Sequence, residues 1–222
     1  MNRSIVIFGK GPSLVRCSRE LVDEYDDLVI CNYPVLTKEF MELVENHEIK
    51  YHFANCGTYD IRYTDDVNNK LKIRNIINTH KNNCRKYHNF IKNKSLFREG
   101  IREYYLKYFI ENYDFDPSTG IMALQYILDL KQYDKILLVG FDNFKKGEQM
   151  YYFKPQDYNN NMKYLLDDKV LKKDGTFNII SGHDPDKTFN YLNNIIDDNK
   201  NIEFTMITNL NFEKQYNNLN VI

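Results

Sequence analysis

No stretch of the 222-residue chain has enough consecutive apolar residues to span a bilayer, so no transmembrane helix is expected. The apolar start Ile5-Val6-Ile7-Phe8 stops at Gly9, too short for the core of a secretory signal, and reads as a first strand. Cysteine is scarce. Cys17, Cys31, Cys56 and Cys84 form no C-x-x-C pair and have no histidine at finger spacing, which argues against a zinc site or a disulfide framework. Reduced thiols in a cytosol are expected instead, and with them a cytoplasmic location. An excess of one charge is also missing: 30 Lys and Arg face 31 Asp and Glu, for a formal net charge of -1. Nothing in that balance asks for a nucleic-acid partner. Internal repeats and linkers are absent too, and the length fits one domain over 1–222.

What is present is an alternation of short apolar runs with helical patterns. Runs at 5–8, 28–31, 50–54, 135–139 and near 202–207 are continuous, as strands buried on both faces of a parallel sheet require. Helical patterns occupy about 37–47, 97–112, 119–131 and 185–198. Strands alternating with helices predict an α/β, Rossmann-like domain with a mainly parallel sheet and right-handed crossovers. Residues 62–95 are polar and helix-like with weak periodicity. Residues 143–181 are rich in Tyr, Lys and Asn and are broken by Gly147, Pro155 and Gly175, which suggests a mobile lid. Scattered Lys and Tyr near 145–164 offer a peripheral membrane contact, with a solvated loop as the plainer alternative.

Gly9-Lys10-Gly11-Pro12-Ser13-Leu14 follows the first strand directly. In doubly wound sheets ligands sit beyond the carboxyl ends of strands, where two glycines let backbone approach a phosphate. Pro12 stiffens the turn, Ser13 offers a hydroxyl and Lys10 a charge. The run is neither a Walker A loop nor a full G-x-G-x-x-G, which argues against the usual NTPase and dinucleotide sites. Asn32 and Asn55 close the second and third strands, and an asparagine amide can read a base or sugar edge. Asp116-Pro117-Ser118-Thr119-Gly120 then opens an apolar helix whose first N–H groups favour an anion. Gly120 in the first turn costs helix stability, which makes sense if something comes close to the backbone. Among the five histidines, His183 in Ser181-Gly182-His183-Asp184-Pro185 stands at a glycine-flanked junction before a helix, where a general base can adjust its pKa. His52 lies in a predicted strand and is assigned to the core or its support.

These motifs together resemble those of the sialyltransferases. Gly9-Lys10-Gly11-Pro12-Ser13-Leu14 is similar to the G-N-G-P-S-L loop of the bacterial family 42 enzymes, and Cys31-Asn32 to their C-N turn. Pro117-Ser118-Thr119-Gly120 followed by Gly140-Phe141-Asp142 is similar to the P-S-T-G and G-F-D motifs of the animal family 29 enzymes. Gly182-His183-Asp184 matches the late histidine of both. The resemblance implies a variant GT-A fold and metal-independent, inverting transfer from CMP-sialic acid to a glycan or glycolipid hydroxyl. It implies that His183 is the base, and that Tyr151 or Tyr152 meets the departing phosphate. It further implies that Gly9 to Ser13, Asn32, Asn55, Ser118, Thr119, Gly120 and Asp142 bind the donor, with no cofactor. Three departures stand out: Lys10 replaces the loop asparagine, Asp116-Pro117 stands where an arginine belongs, and Phe144 replaces a second lid tyrosine. The alternatives are a pterin pyrophosphokinase-like phosphoryl transferase, whose relatives also carry G-P-S-L loops, and a binding module without catalysis.

Overall fold

The computed structural model describes residues 3–32, 34–54, 67, 70–79, 97–98, 101–142, 151, 153 and 184–222. Its framework is one eight-stranded sheet, made of β1 (Ser4–Phe8), β2 (Asp27–Cys31), β3 (Glu48–Ala54), β4 (Lys72–Asn78), β5 (Phe97–Arg98), β6 (Lys135–Val139), β7 (Glu203–Ile207) and β8 (Leu219–Val221). The strand order is β5-β4-β3-β2-β1-β6-β7-β8, and every pairing is parallel. The α/β class with a parallel sheet, expected from the alternation of strands and helices, is what the chain forms.

All of β1 is buried, because helices cover both faces of the sheet. Its side chains alternate between two cores, as a period of two dictates. Val6 and Phe8 join Val22 of helix α1 (Arg19–Asp23) and Phe40 and Leu43 of α2 (Lys38–Val44). Ile5 and Ile7 face the other way, toward α3 (Ile101–Tyr113), α4 (Thr119–Leu130) and α5 (Pro185–Asp198). Phe153, inside the expected lid, is 2% exposed and belongs to the first core, where Tyr151 stacks on it at 4.9 Å. Apart from those two, the expected lid from 143 to 181 lies outside the described residues.

Two expectations need correction. The polar stretch 62–95, read as helix-like, has helical Val67 and Lys70 among its described residues but continues into β4, and helix α3 begins at Ile101, with Phe97–Arg98 forming β5. In β4 exposed Lys72 and Arg74 alternate with buried Ile73 and Asn75. Asn75 tolerates burial by donating from Nδ2 to the Lys50 carbonyl of β3 at 2.8 Å, which satisfies a group that looks unsuited to a core.

The helix starts follow the sequence closely. Ser118 Oγ accepts from the Ile121 N–H at 3.3 Å to cap α4, and Asp184 Oδ1 accepts from the Lys187 N–H at 3.0 Å to cap α5 ahead of Pro185. Lys131, with φ 51, closes α4 in the left-handed conformation. At the amino end of the sheet, Asp27 Oδ2 accepts from Arg3, Lys50 and Tyr133 at 2.7, 2.7 and 2.9 Å, tying β1, β2, β3 and the start of β6. No helix among the described residues is long and apolar enough to cross a membrane.

Candidate active site

The chain builds outward from β1 to β5 on one side and resumes at β6 on the other. The carboxyl ends of β1 and β6 therefore flank the switch point at which an open parallel sheet forms its crevice. Backbone meets backbone there. The Gly9 N–H donates to the Val139 carbonyl at 2.7 Å, and the Gly11 N–H to the Gly140 carbonyl at 2.9 Å. Gly140 has φ +70, and a Cβ on Gly11 would lie 2.7 Å from the Gly140 oxygen. Contact between these two turns is thus one reason for the glycines, independent of any ligand.

Ser13 and Asp142 lock the same junction. Ser13 is 2% exposed; its N–H donates to Asp142 Oδ2 at 2.9 Å and its hydroxyl to the Ile207 carbonyl at 2.8 Å. Asp142 Oδ1 accepts from the Asn209 N–H at 2.5 Å and from the Thr208 hydroxyl at 3.2 Å. Both carboxylate oxygens are engaged by the protein, so Asp142 joins the turns after β1, β6 and β7. The sequence offered no sign that Thr208 and Asn209 belong to this knot, since neither stands in a recognisable motif.

Beside it, Lys10 shares the carboxyl edge with Cys31, Asn32 and His52. Lys10 keeps partial contact with solvent, yet the protein packed around its ammonium removes enough water to pull its pKa down to about 7, with Cys31 pulling weakly upward. Burial pushes the Cys31 thiol up to about 12, so it stays protonated. Asn32 has φ 56, and its side-chain Oδ1 accepts from the Thr119 hydroxyl at 3.2 Å. That bond joins the end of β2 to the start of α4, so two motifs separated widely in sequence meet. Gly120 sits under the Phe141 ring, which a Cβ would approach to 3.3 Å. For a methyl there, that ring would have to give by a few tenths of an ångström.

No protein-family model matches the chain, and no curated protein matches it. Solved structures do. The sialyltransferase CstII from Campylobacter jejuni, solved with the substrate analogue cytidine-5'-monophosphate, superposes with a TM-score of 0.53 over 93% of this chain and 80% of that one, at 16% identity. The fold is sialyltransferase-like. A mammalian sialyltransferase solved with Gal-beta-1-3GalNAc-ortho-nitrophenol gives a TM-score of 0.49, covering 91% of this chain and 69% of that chain, also at 16% identity.

Within this sialyltransferase-like fold, the described residues among those expected to form the site, Gly9, Lys10, Gly11, Pro12, Ser13, Asn32, Ser118, Thr119, Gly120 and Asp142, gather at one edge of the sheet. Tyr151 packs on Phe153 next to the first core. Asn55, Tyr152 and His183 lie outside the described residues. The residues directly after His183 are placed: Lys187 Nζ donates to the Asp114 carbonyl at 2.7 Å and to Asp114 Oδ2 at 2.6 Å. The first turn of α5 therefore rests on the connection that leads into Pro117-Ser118-Thr119.

Proposed function

We propose that the protein is an inverting, metal-independent glycosyltransferase that moves a sugar, sialic acid from CMP-sialic acid, to a hydroxyl of a glycan or glycolipid. The observation that carries this is the Thr119–Asn32 bond of 3.2 Å, which brings the strand-end asparagine and the Ser-Thr-Gly helix start to the crevice formed by the glycine turns. Asn32 brings a carboxamide, with both donor and acceptor character, to the edge at which a base or sugar is read. Lys10 supplies a cation for the phosphate, and Tyr151 or Tyr152 a hydroxyl for the same group. His183 takes the proton of the acceptor hydroxyl. The acceptor oxygen then forms its bond to the anomeric carbon while the bond from that carbon to the phosphate oxygen breaks. CMP leaves with the electron pair, and the single displacement inverts the centre.

The test is CMP release from CMP-sialic acid, followed by chromatography with and without EDTA. Release that survives EDTA supports the proposal. CMP release that requires Mg²⁺ overturns the metal-independent mechanism, phosphoryl transfer that requires Mg²⁺ overturns the proposal in favour of a phosphoryl transferase, and binding without turnover overturns it in favour of a binding module.

Lys10 gives the site a pH dependence with a definite sign. Affinity for a CMP-sugar, whose phosphodiester does not titrate near neutrality, is expected to fall as pH rises above about 7, because the cation is lost. The limiting slope is about tenfold per pH unit, and Lys10→Gln should flatten it. Folding stability is expected to move the other way. Between about 7 and the ordinary lysine value of 10.5 the unfolded chain binds the proton and the folded chain does not, so this contribution rises with pH. Titration calorimetry and thermal melting over about pH 6.5–9 check the two trends.

A further inference from the structure

His52 is the one described histidine that is fully buried, at 0% exposure, and it lies in β3 beside Ile30 of β2. Its ring reaches past that partner to the end of β2, where Nε2 is 2.6 Å from the carbonyl oxygen of Asn32. A carbonyl only accepts, so Nε2 carries the hydrogen and donates. The Asn32 N–H in turn donates to the Phe53 carbonyl at 2.6 Å. Both backbone polar groups of Asn32 are therefore bound to β3, one by main chain and one by the imidazole. Between them Asn32 adopts φ 56, a conformation that disfavours every residue with a Cβ, asparagine less than most. Its carboxamide meets Thr119 at 3.2 Å.

We propose that His52 is a positioning residue of the nucleotide site: by donating to the Asn32 carbonyl it holds the left-handed turn that aims the Asn32 carboxamide at Thr119. This rests on the assignment of this edge to a nucleotide. His52 is not itself a catalytic residue, because its ring is sealed from solvent and its hydrogen is committed to the backbone. Burial pulls its pKa down to about 4, so the neutral tautomer that makes the bond persists through neutral pH. Glycine would adopt the same turn unaided but would carry no amide. The pair thus joins a residue that can read a ligand to a second one that stabilises its unusual backbone.

The test compares His52→Leu, which has no donor, with His52→Gln, which keeps one at similar reach. CMP affinity is measured by calorimetry. The leucine variant is expected to bind CMP roughly tenfold more weakly, the equivalent of one hydrogen-bonded contact, and the glutamine variant within about threefold of the native protein. In an Asn32→Gly background, where the turn needs no help and the carboxamide is gone, His52→Leu should cost no further affinity. Native affinity in His52→Leu, a failure of glutamine to restore it, or an equal loss in both backgrounds would each overturn the proposal. Should the leucine variant not fold, His52→Asn, whose amide is too short to reach, replaces it.

Absence of CMP binding by the native protein would defeat the nucleotide assignment alone. The positioning claim is then decided by the three-bond HN–Hα coupling of Asn32. A left-handed value lost on removing the His52 donor supports it, and an unchanged value overturns it.

Discussion

Alanine at position 183 is expected to lower sugar transfer by about 10²–10⁴-fold, the usual worth of a general base, while CMP affinity stays within about twofold. The split follows from the role. A base acts on the acceptor hydroxyl and touches neither cytidine nor phosphate, so its loss slows the bond-making step and leaves the donor seated. The neighbouring backbone is well supported for that role, since Asp184 caps α5, Pro185 sets its first turn, and Lys187 fastens that turn to Asp114. Removing one imidazole should leave these contacts in place. Initial rates at saturating donor, set beside calorimetric CMP affinity, check the prediction. Undiminished transfer would place the base elsewhere.

The second large effect is on folding. Gly9→Ala is expected to destabilise the protein by about 2–3 kcal/mol, the upper range for forcing a methyl into a packed interior. For a domain of this size that is roughly 5–10 °C in melting temperature. The added carbon would run into the Gly140 carbonyl oxygen and lie 3.2 Å from the Val139 oxygen, both backbone atoms that no rotamer change can move aside. It would also strain the 2.7 Å bond from Gly9 to Val139 that continues the β1–β6 ladder. Gly120→Ala is the control. Its nearest obstacle is the edge of the Phe141 ring at 3.3 Å, a side chain able to give, and alanine favours a helix by up to about 1 kcal/mol. Its melting temperature should change by no more than about 3 °C. Thermal unfolding followed by circular dichroism separates the two cases.

The central strands were legible because burial on both faces demands unbroken apolar runs. Ile5-Val6-Ile7-Phe8 and Lys135-Ile-Leu-Leu-Val139 could hardly be anything else, and their helices announced themselves by caps at Ser118 and Asp184. Toward the edge the same rule loses its force. In β4 the run Lys72-Ile-Arg-Asn75 alternates exposed and buried positions inside a polar stretch, and one of its buried residues is an asparagine. Strands β5 and β8, of two and three residues, are too short to carry a period at all.

At the site, the individual motifs were readable but their partners were not. That Asn32 would meet Thr119 follows from the crossing of α4 over β2, which local pattern does not encode. The link from His52 to Asn32 spans two strands and ends on a backbone oxygen, an atom every residue possesses, so no residue type marks it. Asp142 is a further case. Its place in Gly140-Phe141-Asp142 marked it as a residue of the site, and no local pattern showed that its oxygens also hold Ser13, Thr208 and Asn209 together.

That knot sets the rules for transplanting specificity. The turn after β1 looks like a portable cassette of six residues, Gly9 to Leu14, that could be exchanged for one from another enzyme. Yet its glycines are shaped by the main chain at 139–140, and its serine is held by a carboxylate that also grips the loop at 208–209. A graft would have to carry all three chain segments to fit. A change in the length of the turn would break that fit at Gly9, Gly11 and Ser13 at once, so substitution within the cassette, and not insertion or deletion, is the compatible kind of change.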